Sequence, residues 1–199
     1  MKNTTALGLI CLCFVGCVSS GTSPLRMNEP YTLAVDYSRN IEDSVRAGSY
    51  GWSSKDITSA NFQSTESGLR QITVQLFEFP RYTPIERTIE LQRQKQRRPA
   101  TIKELLALAE RYPEIQLHRT VFALGSTCSI VVEDKPGFAG SANQMQPGVH
   151  ATSPSRMVAQ TYWPYLSSEG SLRILTLGKV SLMMQDPFQE LWGCFVLIE

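Results

Sequence analysis

The sequence predicts an α+β fold, in which a mostly antiparallel sheet is combined with two or three helices in the N-terminal half of the chain. Three observations predict it: an alternating strand pattern comes first, helical patterns follow between residues 83 and 113, and strand patterns dominate the remainder. Strands and helices that occur in separate blocks along the chain are typical of α+β domains. In α/β domains with a parallel sheet, strands and helices alternate along the chain.

The first elements follow each other between residues 31 and 48. Every second residue from Tyr31 to Tyr37 is apolar, which is the period of a half-buried strand. Asn40 is a favoured N-cap for a helix over residues 41–47, and Gly48 is a favoured end for it. We therefore expect a strand followed directly by a short helix.

A second strand and two further helices come next. Residues 70–79 alternate as a strand does, and residues 83–86 (Thr-Pro-Ile-Glu) form a capping-box start for a helix that reaches about Gln94. Thr101 and Glu104 repeat the capping-box spacing for another helix, which ends near Tyr112 and Pro113. One face of this helix is apolar: Ile102, Leu105, Leu106 and Ala109.

Strand patterns fill most of the chain after Leu117. They cover residues 120–124, 127–133, 158–163, 172–177, 179–184 and 192–198. Between them, residues 134–157 form a long loop rich in Gly, Pro and Ser. Loops longer than about 12–15 residues are usually functional or disordered, so this loop is either a tolerated insertion or part of a binding surface.

The N-terminus has the pattern of a bacterial export signal. Lys2 precedes an apolar run over residues 6–15, which is too short to span a bilayer but suits a signal peptide. Gly16-Cys17 then resembles a lipobox, which implies that Cys17 is acylated and anchors the chain in a membrane. The alternatives are ordinary cleavage near Ser20 with secretion, and an apolar segment that stays uncleaved as the anchor.

Three segments follow from this interpretation: a signal peptide with lipobox (residues 1–17), a flexible tether (18–30) and a single α+β domain (31–199). The expected location is the cell envelope, at the outer membrane or the periplasmic face, and Val18 after the lipobox favours the outer membrane. The formal net charge is only +1. A neutral chain has no general attraction for nucleic acid, so we expect no nucleic-acid partner.

Two cysteines, Cys128 and Cys194, remain in the mature chain after the signal is removed and Cys17 is acylated. Outside the cytoplasm they can form a disulfide. Both also lie in apolar strand patterns, where a buried free thiol is common. The sequence leaves both alternatives open.

No catalytic or metal-binding motif stands out. The only histidines, His118 and His150, have no partner at metal-ligand spacing, and Ser126 lacks the second glycine of a nucleophile elbow. An enzyme is therefore the less favoured interpretation, and we expect no cofactor. The basic segment RQKQRR (93–98) is typical of a solvated helix C-terminus, with lipid headgroup contact as the alternative.

The aromatic cluster Tyr162, Trp163 and Tyr165 is either core or a partly exposed binding surface. Together with His150 in the long loop, it is the candidate surface for an envelope protein or a glycan. The function expected from these patterns is a non-enzymatic binding module with a lipid anchor. A structural envelope lipoprotein and an enzyme of unrecognised type are the alternatives.

Two stretches, RPATIKELLALAERYPEIQ (98–116) and VFALGS (121–126), resemble an uncharacterised bacterial protein family. Its later motifs correspond to YWPYL (162–166) and WGCFVLI (192–198), and residues 35–57 also match. The resemblance implies no activity. The start of the helix after RRPAT is also similar to the C-type-lectin-like fold, which includes relatives of the formylglycine-generating enzyme and the variable proteins of diversity-generating elements.

Overall fold

The computed structural model of the protein describes residues 25–78, 84–134, 156–179 and 193–198. Within these ranges the helices are α1 (Ile41–Ala47), α2 (Ile85–Arg93), α3 (Ile102–Arg111) and α4 (Ile115–His118). The strands are β1 (Pro30–Asp36), β2 (Trp52–Ser53), β3 (Leu69–Glu78), β4 (Arg98–Pro99), β5 (Thr120–Phe122), β6 (Cys128–Asp134), β7 (Arg156–Glu169), β8 (Leu172–Gly178) and β9 (Gly193–Ile198).

These strands form one sheet in the order β1-β3-β9-β5-β7-β8-β2, with β4 also paired to β9 and β6 to β7. The pairs are antiparallel except β5 with β9 and β2 with β8. The predicted α+β class with a mostly antiparallel sheet is confirmed. The last strand, β9, lies between β3 and β5, so the C-terminal part of the chain completes the centre of the sheet.

One face of the sheet carries the main core, which α1 and α3 cover. Leu33 and Val35 of β1 and Val74 and Leu76 of β3 are buried there, as their alternation predicts. From α3 the core receives the four predicted apolar residues and also Leu108. Apolar burial contributes about 25 cal/mol per Å², so this layer supplies much of the stability of the fold.

The other face of the sheet carries a second, smaller core under α2. Ile89 of α2 packs with Phe77, Phe122 and Tyr165. These three aromatic residues lie in one row across the sheet, because Phe77 and Phe122 both pair with the same position of β9 and Phe122 pairs with Tyr165. The rings of Phe122 and Tyr165 stack with centroids 5.0 Å apart.

Most local signals at the element ends are confirmed. The Asn40 side chain accepts a hydrogen bond from the Asp43 N–H at 2.7 Å and caps α1, which ends at Gly48. The helix α2 begins one residue later than expected, with Pro84 at the N-cap and no side-chain cap. Thr83 and most of the predicted strand over 179–184 lie outside the described residues.

The domain begins earlier than expected. Residues 25–30, which the sequence assigns to a flexible tether, pack on the sheet: Leu25 and Met27 contact the main core. The Asn28 N–H donates to the Leu76 carbonyl at 2.9 Å, and Pro30 already belongs to β1. The chain therefore joins the domain beside the C-terminal end of β3.

Leu105→Ala tests the packing of α3. Leu105 is fully buried, so we expect the free energy of unfolding to fall by about 3 kcal/mol, measured by chemical denaturation. Leu91→Ala on α2 is the matched control, because Leu91 is 37% exposed and its loss should be below about 1 kcal/mol. Equal losses at the two positions would contradict the described register of α3.

Candidate functional site

An open groove with a volume of about 610 Å³ lies at the end of β1 where Asp36 pairs with Leu69. Its walls come from residues 37–41 after β1, from the loop that precedes β3 and from the first turn of α3. The side chains that line it are mostly polar, among them Arg39, Asn40, Gln63, Ser64 and Lys103.

Hydrogen bonds to side chains hold the walls of the groove in place. The Ser59 hydroxyl accepts from the Ile41 N–H at 3.1 Å and donates to the Glu42 carboxylate at 2.6 Å. The hydroxyl and backbone N–H of Ser59 together lower the pKa of Glu42. The Ser38 hydroxyl accepts from the Gly68 N–H at 2.7 Å. The loop before β3 is thereby fixed to the start of α1.

Two cationic side chains, Arg39 and Lys103, line the groove together with the Glu66 carboxylate. Arg70 lies beside it and forms an ion pair with Glu66 at 3.5 Å. Arg39 forms an ion pair with Glu110 at 2.8 Å. The Lys103 ammonium donates to the Tyr37 carbonyl. The Arg70 guanidinium lies 5.5 Å from the centroid of the Tyr37 ring. The groove therefore has both cationic donors and a carboxylate acceptor in its lining.

Below the groove, Tyr37 connects it to a buried carboxylate, Glu104, which has no exposed surface. The Tyr37 hydroxyl donates to Glu104. The Arg98 guanidinium donates to both carboxylate oxygens, at 3.0 and 2.5 Å. The Thr101 N–H also donates to this carboxylate, at 2.6 Å. This hydrogen bond is the half of the predicted capping box that Glu104 provides. Bidentate pairs of this kind are among the strongest hydrogen bonds in proteins.

These contacts decide the protonation state of the cluster. Burial by itself would raise the pKa of Glu104, but the hydrogen bonds from Arg98, Tyr37 and Thr101 outweigh it and hold the pKa below its ordinary value. Burial, followed by the hydrogen bond to Glu104, raises the pKa of Tyr37. At neutral pH Glu104 is thus a carboxylate and Tyr37 a neutral phenol.

The arrangement suits binding and structural support. The Glu104 carboxylate is enclosed and accepts from three residues, so it has no access to a substrate proton in the groove, which a general base requires. Among the described residues no group of three or more His, Cys, Asp and Glu side chains could hold a metal ion. None of the helices in that part of the chain is long and apolar enough to cross a membrane.

The aromatic residues proposed from the sequence as a binding surface lie in the sheet. Trp163 and Tyr165 are half-buried and pack against the second core. Tyr162 is also half-buried, and its hydroxyl donates to the Gln160 side chain at 3.1 Å. Trp163 and Tyr165 are therefore partly buried residues at the margin of the second core. His150 and Cys17 lie outside the described residues.

The strand register separates Cys128 from Cys194. Cys128 has a free, buried thiol, and burial raises its pKa. Cys128 pairs with Tyr162 of β7, whereas Cys194 is level with Val121, which pairs with Leu166. Four positions along β7 correspond to about 13 Å, and disulfides need Cα atoms within about 7 Å. The disulfide that the sequence allows is therefore not formed.

Sequence reasoning missed the role of Arg98, which looked like one of several cations at a helix end. It also missed Ser126, whose hydroxyl accepts from the Ile102 N–H at 3.0 Å and so caps α3 from a distant turn. The capping-box spacing pointed to Glu104, but the partners Tyr37 and Arg98 carry no local signal.

No protein-family model matches the chain, and neither a curated protein nor a solved structure is significantly similar to it. The resemblance to the bacterial family and the likeness to the C-type-lectin-like fold therefore stay predictions.

Arg98→Met and Glu104→Gln should differ in cost. Loss of Arg98 leaves a buried carboxylate without its ion-pair partner, which costs about 3–5 kcal/mol. Loss of the Glu104 charge leaves Arg98, whose side chain is 44% exposed and can hydrate, so we expect about 1–3 kcal/mol. Urea denaturation at pH 7 measures both, and Arg93→Met is the control at an exposed arginine.

The difference between wild type and Arg98→Met should also depend on pH. Because the folded-state pKa of Glu104 is lowered in the wild type, its stabilisation is present above about pH 5 and is lost as the pH falls through the folded-state value. The cost of Arg98→Met should therefore shrink in acid. A cost that is constant from pH 7 to pH 3 would contradict the ion pair.

Proposed function

We propose that the protein is an exported, lipid-anchored binding module of a bacterial cell envelope, and that the groove bounded by Arg39, Gln63, Ser64 and Lys103 receives its ligand. The observation that carries the proposal is the position of the groove. It lies at the end of β1 opposite to the end at which the chain joins the sheet, so a chain tethered through Cys17 presents the groove away from its anchor.

The separation of these two ends is set by β1. Pro30 pairs with Gln75, close to where Asn28 contacts Leu76, and Asp36 pairs with Leu69 beside the groove. Seven residues of β1 span about 20 Å. A lipid anchor on the N-terminal side therefore leaves the groove accessible to partners in the surrounding compartment.

The lining of the groove favours a ligand that forms hydrogen bonds. Hydroxyl, amide and cationic groups and the Glu66 carboxylate line it, and Phe62 contributes an apolar side chain to its wall. A glycan or a polar segment of an envelope protein has the matching chemistry. A structural lipoprotein without a ligand is the alternative, and the groove experiment below separates the two. An enzyme is less favoured, because the enclosed Glu104 carboxylate is fully used in structural hydrogen bonds.

Cys17→Ser tests the lipid anchor. Each CH₂ of a buried acyl chain contributes roughly 0.8 kcal/mol to membrane binding, so loss of the acylated residue should move the mature protein from the membrane fraction to the aqueous phase of a detergent partition. Cys128→Ser is the control, because Cys128 is a buried residue of the domain. Unchanged partitioning of Cys17→Ser would refute the lipoprotein assignment.

Photo-crosslinking in intact cells tests the groove. A photoreactive residue replaces Ser64 in the groove or, as the control, the exposed Gln71 on β3. A ligand held in the groove gives an adduct at position 64 and none at position 71. Mass spectrometry of that adduct distinguishes glycan from protein.

A variant that fills the groove makes the assignment specific. Gln63→Trp should remove the adduct at position 64, and its unfolding curve should match that of the wild type, because Gln63 is exposed. Absence of an adduct at position 64 in a folded, anchored protein would favour the structural lipoprotein. An adduct that persists in Gln63→Trp would place the contact outside the groove.

A further inference from the structure

We propose that the outer edge of β1 binds an extended segment of a partner polypeptide, which adds a strand to the sheet beside α3 and reaches the groove at the end of β1. The inference rests on the proposed function and deepens it, because it names a polypeptide, instead of a glycan, as the ligand. In strand addition, main-chain hydrogen bonds provide affinity and contacts of alternate side chains provide selectivity.

β1 lies at one edge of the sheet, and its only partner among the described strands is β3. The pairing is regular from Pro30 to Asp36, and the interior of the strand contains no charged residue. Proteins commonly protect a long edge strand with a bulge, a charged side chain or a proline. In β1 the proline and the charge occur only at the two ends, so residues 31–35 are a regular template for another strand.

The hydrogen bonds of β1 show which of its backbone groups point away from β3. The Tyr37 N–H donates to the Gly68 carbonyl at 2.9 Å, which continues the register of the strand pair. In an antiparallel pair, hydrogen-bonded positions alternate with positions whose N–H and C=O groups face outward. Thr32, Ala34 and Asp36 are therefore the outward positions, and all three are exposed. Among the described residues, none outside β3 forms a hydrogen bond with the backbone of Thr32 or Ala34.

The helix α3 follows β1 along its length. The Lys103 ammonium donates to the Tyr37 carbonyl just after the end of β1. Near the start of β1, the Tyr31 and Tyr112 rings pack edge to face with centroids 6.2 Å apart. Ala107 lies one turn after Lys103 on the same face of the helix and is half-buried. This small side chain leaves room beside β1 for the side chains of an added strand.

The side of an added strand that faces α3 would meet apolar groups at one end and polar groups at the other. Tyr31 and Tyr112 are partly buried rings at the margin of the main core. The Arg39–Glu110 ion pair, at 2.8 Å, joins the turn after β1 to α3. Both of its side chains are at least one-third exposed, and such pairs contribute little to stability, so a ligand can displace it. The expected segment carries an apolar residue opposite the tyrosines and polar residues towards the groove.

A second copy of this chain is a less suitable occupant. Symmetric pairing of two β1 strands about a two-fold axis is antiparallel, so it would place the N-terminal segments of the two copies at opposite ends of the joined strands. Under the proposed anchor at Cys17, both copies would be tethered to one membrane from the same end. An extended segment of a different envelope protein carries no such restriction.

Amide hydrogen exchange, followed by NMR on the mature lipidated protein in detergent micelles, tests whether the edge is open. The N–H groups of Thr32 and Ala34 should exchange faster than those of Leu33 and Val35, which the register bonds to β3. Equal protection of the two sets would show that the outer edge is already covered, and it would overturn the proposal.

Photo-crosslinking in intact cells tests strand addition itself. A photoreactive residue at position 32 should form an adduct with a different polypeptide. Ala34→Pro should lower its yield about tenfold or more, because proline lacks the N–H and its ring blocks the approach of another strand. Proline is tolerated where the N–H of an edge strand faces solvent, and unfolding curves check that the domain is intact. Ala34→Ser is the matched control, since it keeps the N–H and should keep the adduct.

The outcomes separate this inference from the proposed function on which it rests. A protein adduct at position 32 that Ala34→Pro removes and Ala34→Ser retains supports strand addition. If Ala34→Pro does not fold, Thr32→Pro removes the neighbouring outward N–H, and the adduct at position 64 reports its effect. A yield unaffected by the proline, a glycan adduct, or an adduct with a second copy would overturn strand addition and leave the groove as a binding site. The absence of adducts at both positions 32 and 64 would contradict the proposed function as well.

Discussion

The buried carboxylate of Glu104 is the constraint on which the arrangement of the domain depends. It joins three parts of the chain: Tyr37 after β1, Arg98 in β4, and the first turn of α3 through Thr101. A charge without exposed surface is tolerated only when it is paired and fully hydrogen-bonded. The helix, the edge of the sheet and the groove above Tyr37 are therefore held in one geometry, and none can shift alone without exposing or orphaning this charge.

The contacts around Glu104 also explain two sequence motifs, at residues 98–105 and 123–126, in physical terms. Ala100 is fully buried and donates its N–H to the Val196 carbonyl. Gly125 packs so closely on residues 99 and 100 that a Cβ would lie 2.5 Å from the Pro99 carbonyl oxygen. With the cap that Ser126 provides, the motifs around Arg98 and around Gly125 form two halves of one helix start. The contacts described for both motifs hold the start of α3 in place.

The sequence predicted what depends on near neighbours. The Asn40 cap, the alternation of β1 and the apolar face of α3 are local patterns, and the structure follows them. The sequence could not predict the central position of β9 or the short helix α4, because strand order and single helical turns depend on contacts distant in sequence. Arg173 shows the same limit. It lies in an ordinary strand pattern, yet its guanidinium donates to the carbonyls of Gly48 and Ala109 and so joins the ends of α1 and α3.

Local sequence patterns could not predict the candidate site either, because its walls come from separate parts of the sequence and meet only at the end of β1. Aromatic residues drew attention to β7, but the row from Phe77 to Tyr165 is the second core under α2. The groove instead uses serine, asparagine and glutamine, which are common in loops and mark no site by themselves. The position of the groove is what supports its proposed role. The groove lies at one end of the strand pair β1 and β3, and the N-terminal segment of the domain lies at the other end. Under the proposed anchor at Cys17, that geometry would separate a surface facing the membrane from the surface available to a partner.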